Sequence, residues 1–168
     1  MDYHAGGFRA IRPDKFAVKF AAPNVFGTRC SMLASYVCFD NPNPMVADYP
    51  DAYTGQPGFE FLKLVPSWWD ETRVLKGEAG EILITARRKG KTWYVGGMSA
   101  GKPRDLELSM SFLGPIRYSA QIWKDSPETE TDPNGLTTDS FSASSSEVLR
   151  VHVASDGGFV VEFTPSIR

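Results

Sequence analysis

The sequence predicts two kinds of structure in one chain: the tail of a larger α/β domain over residues 1–66, and an antiparallel β-sandwich over 67–168. Three observations carry this. Apolar residues recur at three- and four-residue spacing before Pro66 and at two-residue spacing after it. The stretch Glu81–Met98 reads as two strands around a tight turn, with Ile82, Ile84, Ala86, Trp93 and Val95 on one face. Finally, the α/β rhythm before Pro66 comprises only strand end, loop, helix, strand and helix, too little to bury its own faces.

In chain order, Gly6, Gly7, Pro13 and Pro23 break residues 1–26 into a short strand end and a loop. From Thr28, the positions of Cys30, Leu33, Ala34, Val37 and Cys38 predict a helix; Met32, Tyr36 and Phe39 widen its apolar stripe, and Asn41-Pro42 ends it. Pro44–Asp48 reads as a short buried strand of parallel type. Phe59, Phe61, Leu62 and Val65 then predict a second helix, with Pro57 in its first turn and a stop at Pro66.

In the second part, a two-residue turn at Lys89-Gly90 would set Ala86 opposite Trp93 and Ile84 opposite Val95. The other face of that hairpin, with Glu81, Thr85, Arg87, Thr92 and Tyr94, is polar or amphipathic and is expected to be left wet. Alternation continues through Leu106–Phe112, Tyr118–Ile122, Leu149–Val153 and Phe159–Phe163. Turns are marked by Gly114-Pro115, Asp132–Gly135 and Asp156–Gly158. The Ser/Thr-rich piece at 137–146, which contains Phe141, is expected to be a polar strand with its approach loop.

Composition narrows the function. With 42% hydrophobic and 23% charged residues and a net charge of −2, the chain has no basic field to hold nucleic acid or an anionic membrane. The two cysteines, Cys30 and Cys38, fall within one helix at ~12 Å and cannot bridge. His4 and His152 are isolated, so a zinc site built by this chain is not expected. Met1–Gly7 reads as neither signal peptide nor membrane anchor, which leaves the compartment unread.

Read in order, Met1-Asp2-Tyr3, Gly6-Gly7-Phe8, Gly27-Thr28-Arg29-Cys30, Pro66, Trp69–Leu75, Gly77-Glu78, Ala86–Gly90, Trp93-Tyr94, Phe112-Leu113-Gly114 and Gly157-Gly158-Phe159 span the whole chain. This ordered set resembles the carboxy-terminal part of glycoside hydrolase family 97, bacterial α-glucosidases and α-galactosidases. The resemblance implies an α+β chain overall, in which residues 1–66 are an incomplete (β/α) barrel tail, its last two βα units. Residues 67–168 would be the family's C-terminal β-sandwich, with a structural and oligomerisation role. It further implies a parent enzyme whose catalytic carboxylates lie upstream of the Met-Asp-Tyr motif. None of them maps onto this chain, which is expected to be inactive alone. No cofactor is expected in this chain, and calcium would belong to the full-length enzyme in inverting members. Its partners would be an α-linked glucose- or galactose-containing oligosaccharide in the full-length setting, together with self-association or the missing barrel half. Family members are typically periplasmic or exported. This sequence departs from the family pattern at His4-Ala5 and at Ser67-Trp68.

In that setting the candidate substrate contacts are Asp2 and Tyr3 at the end of one barrel strand and Asp48 at the end of the next. A blander role fits them equally, with Asp48 capping the following helix and Tyr3 filling the barrel mouth. Trp68 and Trp69 are the candidate sugar platform, although Trp69 at the boundary between the two parts also suits an interface seal. A stand-alone carbohydrate-binding module using Trp68, Trp69 or Tyr94 is the alternative, as is one half of a split glycosidase. Trp93 and Trp123 belong to strands and are expected in the core or on a sheet face. Arg87, Arg88, Lys89 and Lys91 are expected to form a solvated hairpin tip.

Overall fold

The computed structural model describes residues 6–166. Two three-residue strands, β1 (Arg9–Ile11) and β2 (Asn24–Phe26), pair in parallel, with a single 3-10 turn at Pro13–Lys15 between them. Helix α1 (Arg29–Cys38) follows at once. Its N-cap is Thr28, whose hydroxyl accepts from the Ser31 N–H at 3.1 Å and satisfies one of the free donors of the first turn. Two single-turn helices follow, α2 (Pro50–Tyr53) and α3 (Phe59–Leu62).

Two expectations for this part are corrected. Residues 44–48 form no strand, and Met45 and Val46 are exposed. A parallel strand needs a neighbour along its edge, and among the described residues β1 and β2 pair only with each other. The second helix is a single turn over Phe59–Leu62 that begins after Gly58 in the left-handed region, at φ 86°. Its apolar residues pack inward all the same, and Phe61 is fully buried.

The antiparallel sandwich is as its alternation predicts, with one further strand that the alternation does not mark, β3 (Glu71–Glu78) ahead of the hairpin. Strands β3, β4 (Ile82–Lys89), β5 (Thr92–Ser99), β7 (Tyr118–Asp125), β8 (Leu136–Ala143) and β10 (Gly158–Pro165) form a six-stranded sheet in the order β3-β4-β5-β10-β7-β8. The facing pair is β6 (Arg104–Ser109) with β9 (Val148–Val153). Between the sheets lie Ile84, Ala86, Trp93 and Val95 from the hairpin, Leu106, Leu108, Val151 and Val153 from the pair, and Phe159, Val161 and Phe163 from the central strand. The Ser/Thr-rich segment is strand β8, with Phe141 turned toward Phe163.

The hairpin turn sits one residue later than expected. Lys89 pairs with Thr92, Arg88 with Trp93 and Ala86 with Val95, so Gly90 and Lys91 are the central residues. Gly90, at φ 59°, holds the first of these positions, where a glycine-led two-residue turn places its positive φ. Each partner moves by two residues, an even number, so every side chain keeps its predicted face.

The back of the hairpin is not wet. Thr85, Arg87 and Tyr94 are buried there, because α1 lies across this face of the six-stranded sheet. Gly96 admits the helix: a Cβ at that position would stand 2.8 Å from both the Ala34 carbonyl oxygen and the Val37 Cβ. Met32, Leu33, Ala34 and Val37 from α1 therefore join Phe8, Phe61, Trp123 and Val160 in a second core. The sheet is buried on both faces, by the strand pair on one side and by helices on the other.

Candidate functional site

Of the side chains singled out in the sequence, Trp69, Tyr94 and Arg87 meet at the seam between the helical layer and the sandwich. Trp69 packs edge-on against Tyr94, with ring centroids 5.4 Å apart, and the Arg87 guanidinium lies 5.7 Å from its ring. It packs against the second core, under the helical layer. Trp68, one residue earlier, is 61% exposed, and the Lys89 ammonium lies over its ring.

The four cations of the hairpin tip are mostly engaged. Asp70 accepts from the Gly90 N–H at 2.6 Å and from Lys89 at 3.5 Å. Glu71 pairs with Arg73 and Arg88. The Gly90 N–H holds the Asp70 carboxyl below its usual range, and the Arg73 and Arg88 guanidiniums do the same for Glu71. Arg87 is buried and points toward Asp40, 3.3 Å away. The expectation of a simple solvated tip is therefore corrected: alternation sends Arg87 under the helix, Arg88 pairs with Glu71 of β3 and Lys89 with Asp70 just before it, and Lys91 is left exposed.

Asp48 lies beside β1. Its side chain is fully shielded from solvent, accepting from the Phe8 N–H at 3.0 Å, the Tyr49 N–H at 2.8 Å and Arg9 at 3.3 Å. Asp2 and Tyr3 lie outside the described residues.

Sequence reasoning missed a buried polar joint. Arg29, in the first turn of α1, is 1% exposed; its guanidinium donates to the Pro57 carbonyl at 3.0 Å and to Asn134 Oδ1 at 2.7 Å, and stacks 3.9 Å from the centre of the Phe8 ring. Burial pushes the Arg29 pKa down to about 10. Asn134 also accepts from the Ala10 N–H and donates to the Ala10 carbonyl, so its amide serves β1 as a neighbouring strand would. At the end of β7, Asp125 Oδ2 accepts from the Ala154 N–H at 2.9 Å and the Gly158 N–H at 2.8 Å. Burial raises the Asp125 carboxyl, while the Thr28 hydroxyl, the two N–H groups and the Cys30 thiol pull the other way. Arg29 was visible only as part of the Gly27–Cys30 motif. Asp125 left no signal, because its partners are backbone groups that have no spacing in sequence.

An apolar cleft of about 640 Å³ opens between residues 16–27, α1 and the end of β5, lined by Phe16, Val18, Phe26, Met32, Phe39 and Met98. Among the described residues there is no group of three or more His, Cys, Asp or Glu side chains that could hold a metal ion.

Residues 68–164, from Trp68 into the last strand, match the family described as "Glycosyl-hydrolase 97 C-terminal, oligomerisation". The chain belongs to this family. The family 97 chain is 38% identical over 163 residues to a retaining alpha-galactosidase of Bacteroides thetaiotaomicron, covering 96% of this chain and 25% of that protein. It is 29% identical over 160 residues to a probable retaining alpha-galactosidase of Streptomyces bingchenggensis, covering 95% of this chain and 22% of that protein. Among solved structures, it superposes on a glycoside hydrolase family 97 enzyme in complex with acarbose from Pseudoalteromonas sp. strain K8, with a TM-score of 0.79 and 30% identity over 84% of this chain and 23% of that one. The family 97 chain thus spans about a quarter of the length of the curated relatives it matches.

Proposed function

We propose that this chain is the structural, oligomer-forming end of a family 97 α-glycosidase whose full-length form hydrolyses α-galactosides, and that it has no hydrolase activity alone. Residues 1–66 are its last two barrel units, and 67–168 the sandwich that holds them. The observation that carries this reading is where apolar surface lies open. Of the twelve large hydrophobic residues exposed among the described residues, eight lie before Pro66, among them Phe16, Val18, Phe20 and Phe26, with Phe20 at 98%. Apolar surface concentrated in one part of the chain calls for a covering partner, and here that partner is the remainder of the barrel. The names of the two relatives favour galactosides over glucosides.

The test compares this chain alone with the full-length enzyme on 4-nitrophenyl α-galactoside and α-glucoside. Only the full-length form is expected to turn over, and to prefer the galactoside; turnover by the isolated chain would overturn the reading. In the full-length form Asp2 and Tyr3 are the proposed substrate contacts of this chain. Asp48, fully shielded and held by Arg9 and two backbone N–H groups, is instead the tie that holds its own loop to β1, and Asp48→Asn is expected to lower the melting temperature without a specific rise in KM.

Trp68 supports a second reading, a carbohydrate-binding surface, because it is the tryptophan left open to solvent beside polar side chains that can hydrogen-bond hydroxyls. Affinity electrophoresis in a glucan or galactomannan gel would show retardation abolished by Trp68→Ala. Equal mobility of the two proteins would remove this reading.

A further inference from the structure

The six-stranded sheet has two open edges, β3 and β8, and the facing pair has two more, β6 and β9. An open edge is a row of unpaired N–H and C=O groups, and folded proteins defend such rows with bulges, charges or proline. Three of these edges are defended. The register of β3 shifts between Val74 and Lys76, and the strand carries Glu71, Arg73, Lys76 and Glu78. On the pair the strands themselves are rich in charge, with Arg104, Asp105 and Glu107 in the six residues of β6 and Arg150 and His152 in the six of β9.

Strand β8 is different. Its eight residues, Leu136–Ala143, pair with β7 without a register shift, and they include no proline, lysine or arginine. Thr137, Thr138, Asp139 and Ser140 are exposed in succession. The strand carries a single charge, Asp139, which pairs with Lys124 at 2.7 Å. This is a bulge-free, hydroxyl-rich edge with one charge in eight residues to set against a second strand.

We infer that β8 is the edge through which two copies of this chain associate, strand against antiparallel strand across a two-fold axis, so that two six-stranded sheets run on into one. The inference rests on the oligomer-forming role proposed above and names its surface. A two-fold axis places identical strands antiparallel, so each copy gives and receives the same hydrogen bonds. Rows of Thr and Ser meeting across the axis add side-chain hydrogen bonds. Eight residues make a contact only ~26 Å long, which belongs with small interfaces and gives a dimer that depends on concentration.

The test is sedimentation equilibrium of the full chain from low micromolar to near-millimolar concentration, for wild type and the double variant Thr138→Lys/Ser140→Lys. The wild type is expected to dimerise, and like charges placed on facing strands should weaken association about tenfold or more. A wild type that stays monomeric throughout would overturn both the oligomer-forming role and this edge. A variant that dimerises as the wild type does would overturn the edge alone and leave the role standing. Hydrogen exchange of the wild type needs no variant: amides within 137–142 should gain protection as concentration rises, and unchanged protection alongside dimer formation would place the contact elsewhere.

Discussion

Removing the Asp125 carboxylate should unfasten three parts of the chain at once. This residue ends β7, its Oδ2 accepts from Ala154 and Gly158 on either side of the β9–β10 turn, and Thr28 and Cys30 at the start of α1 lie beside it. Asp125→Ala leaves two buried N–H groups without an acceptor. Each costs about 1–3 kcal/mol, so the loss is about 2–6 kcal/mol. For a chain of this size the melting temperature should fall by roughly 5–20 °C. Asp125→Asn keeps one oxygen where both N–H groups point and should stay within about 1 kcal/mol of wild type.

The same pair of variants tests the charge. Burial raises the Asp125 carboxyl above its ordinary value, so the native state binds this proton more tightly than the unfolded state. The stabilisation is complete below the ordinary aspartate range and is lost as pH rises through the raised value. Relative to Asp125→Asn, wild type should therefore weaken between acidic and neutral pH. Urea and thermal unfolding of the three proteins over that interval supply the data. An alanine variant as stable as the asparagine one, or a stability gap between wild type and Asp125→Asn that ignores pH, would refute the argument.

Three further outcomes are expected. Gly96→Ala forces a Cβ against the Ala34 carbonyl and Val37, so α1 must shift, and unfolding experiments should show a loss of about 1–3 kcal/mol. Trp69→Ala removes a half-buried ring from Tyr94 and Arg87 and should cost about 1–3 kcal/mol, less than a fully buried tryptophan, by the same measurement. Burial pushes the Cys30 thiol up and the Cys38 thiol up to about 12, so neither should react with a disulfide reagent in the native protein at mildly alkaline pH, and both should react in urea. Native-state labelling at the rate of a free thiol would contradict the packing of α1.

Much of the sandwich was legible because its strands obey a local rule. A two-residue period fixes which side chains face inward whatever lies opposite, so Ile84, Trp93, Val151 and Phe163 are found in the core between the sheets. Helix α1 was legible for a like reason, its period and its Thr28 cap both lying within a few residues. Residues 44–48 misled because their composition suits a strand while their neighbours for pairing are absent from the described residues. The candidate site was less legible. Trp69 could be assigned to the seam from its place at the change of period, whereas Asn134 joins Arg29 and the backbone of Ala10 from more than a hundred positions away, and Asp125 binds two backbone N–H groups, neither of which leaves a spacing to read.

The sequence by itself determined the antiparallel sandwich, the faces of its hairpin and of the strands after it, the first helix, and the family, since each rests on periodicity or on ordered short motifs. Only the tertiary structure decided that the hairpin's back is covered by α1, that Arg87 lies beneath that helix, and that β8 is the undefended edge of the sheet. The physical reason is that burial of a face, and exposure of an edge, depend on what packs there from a distant part of the chain, which no local period records.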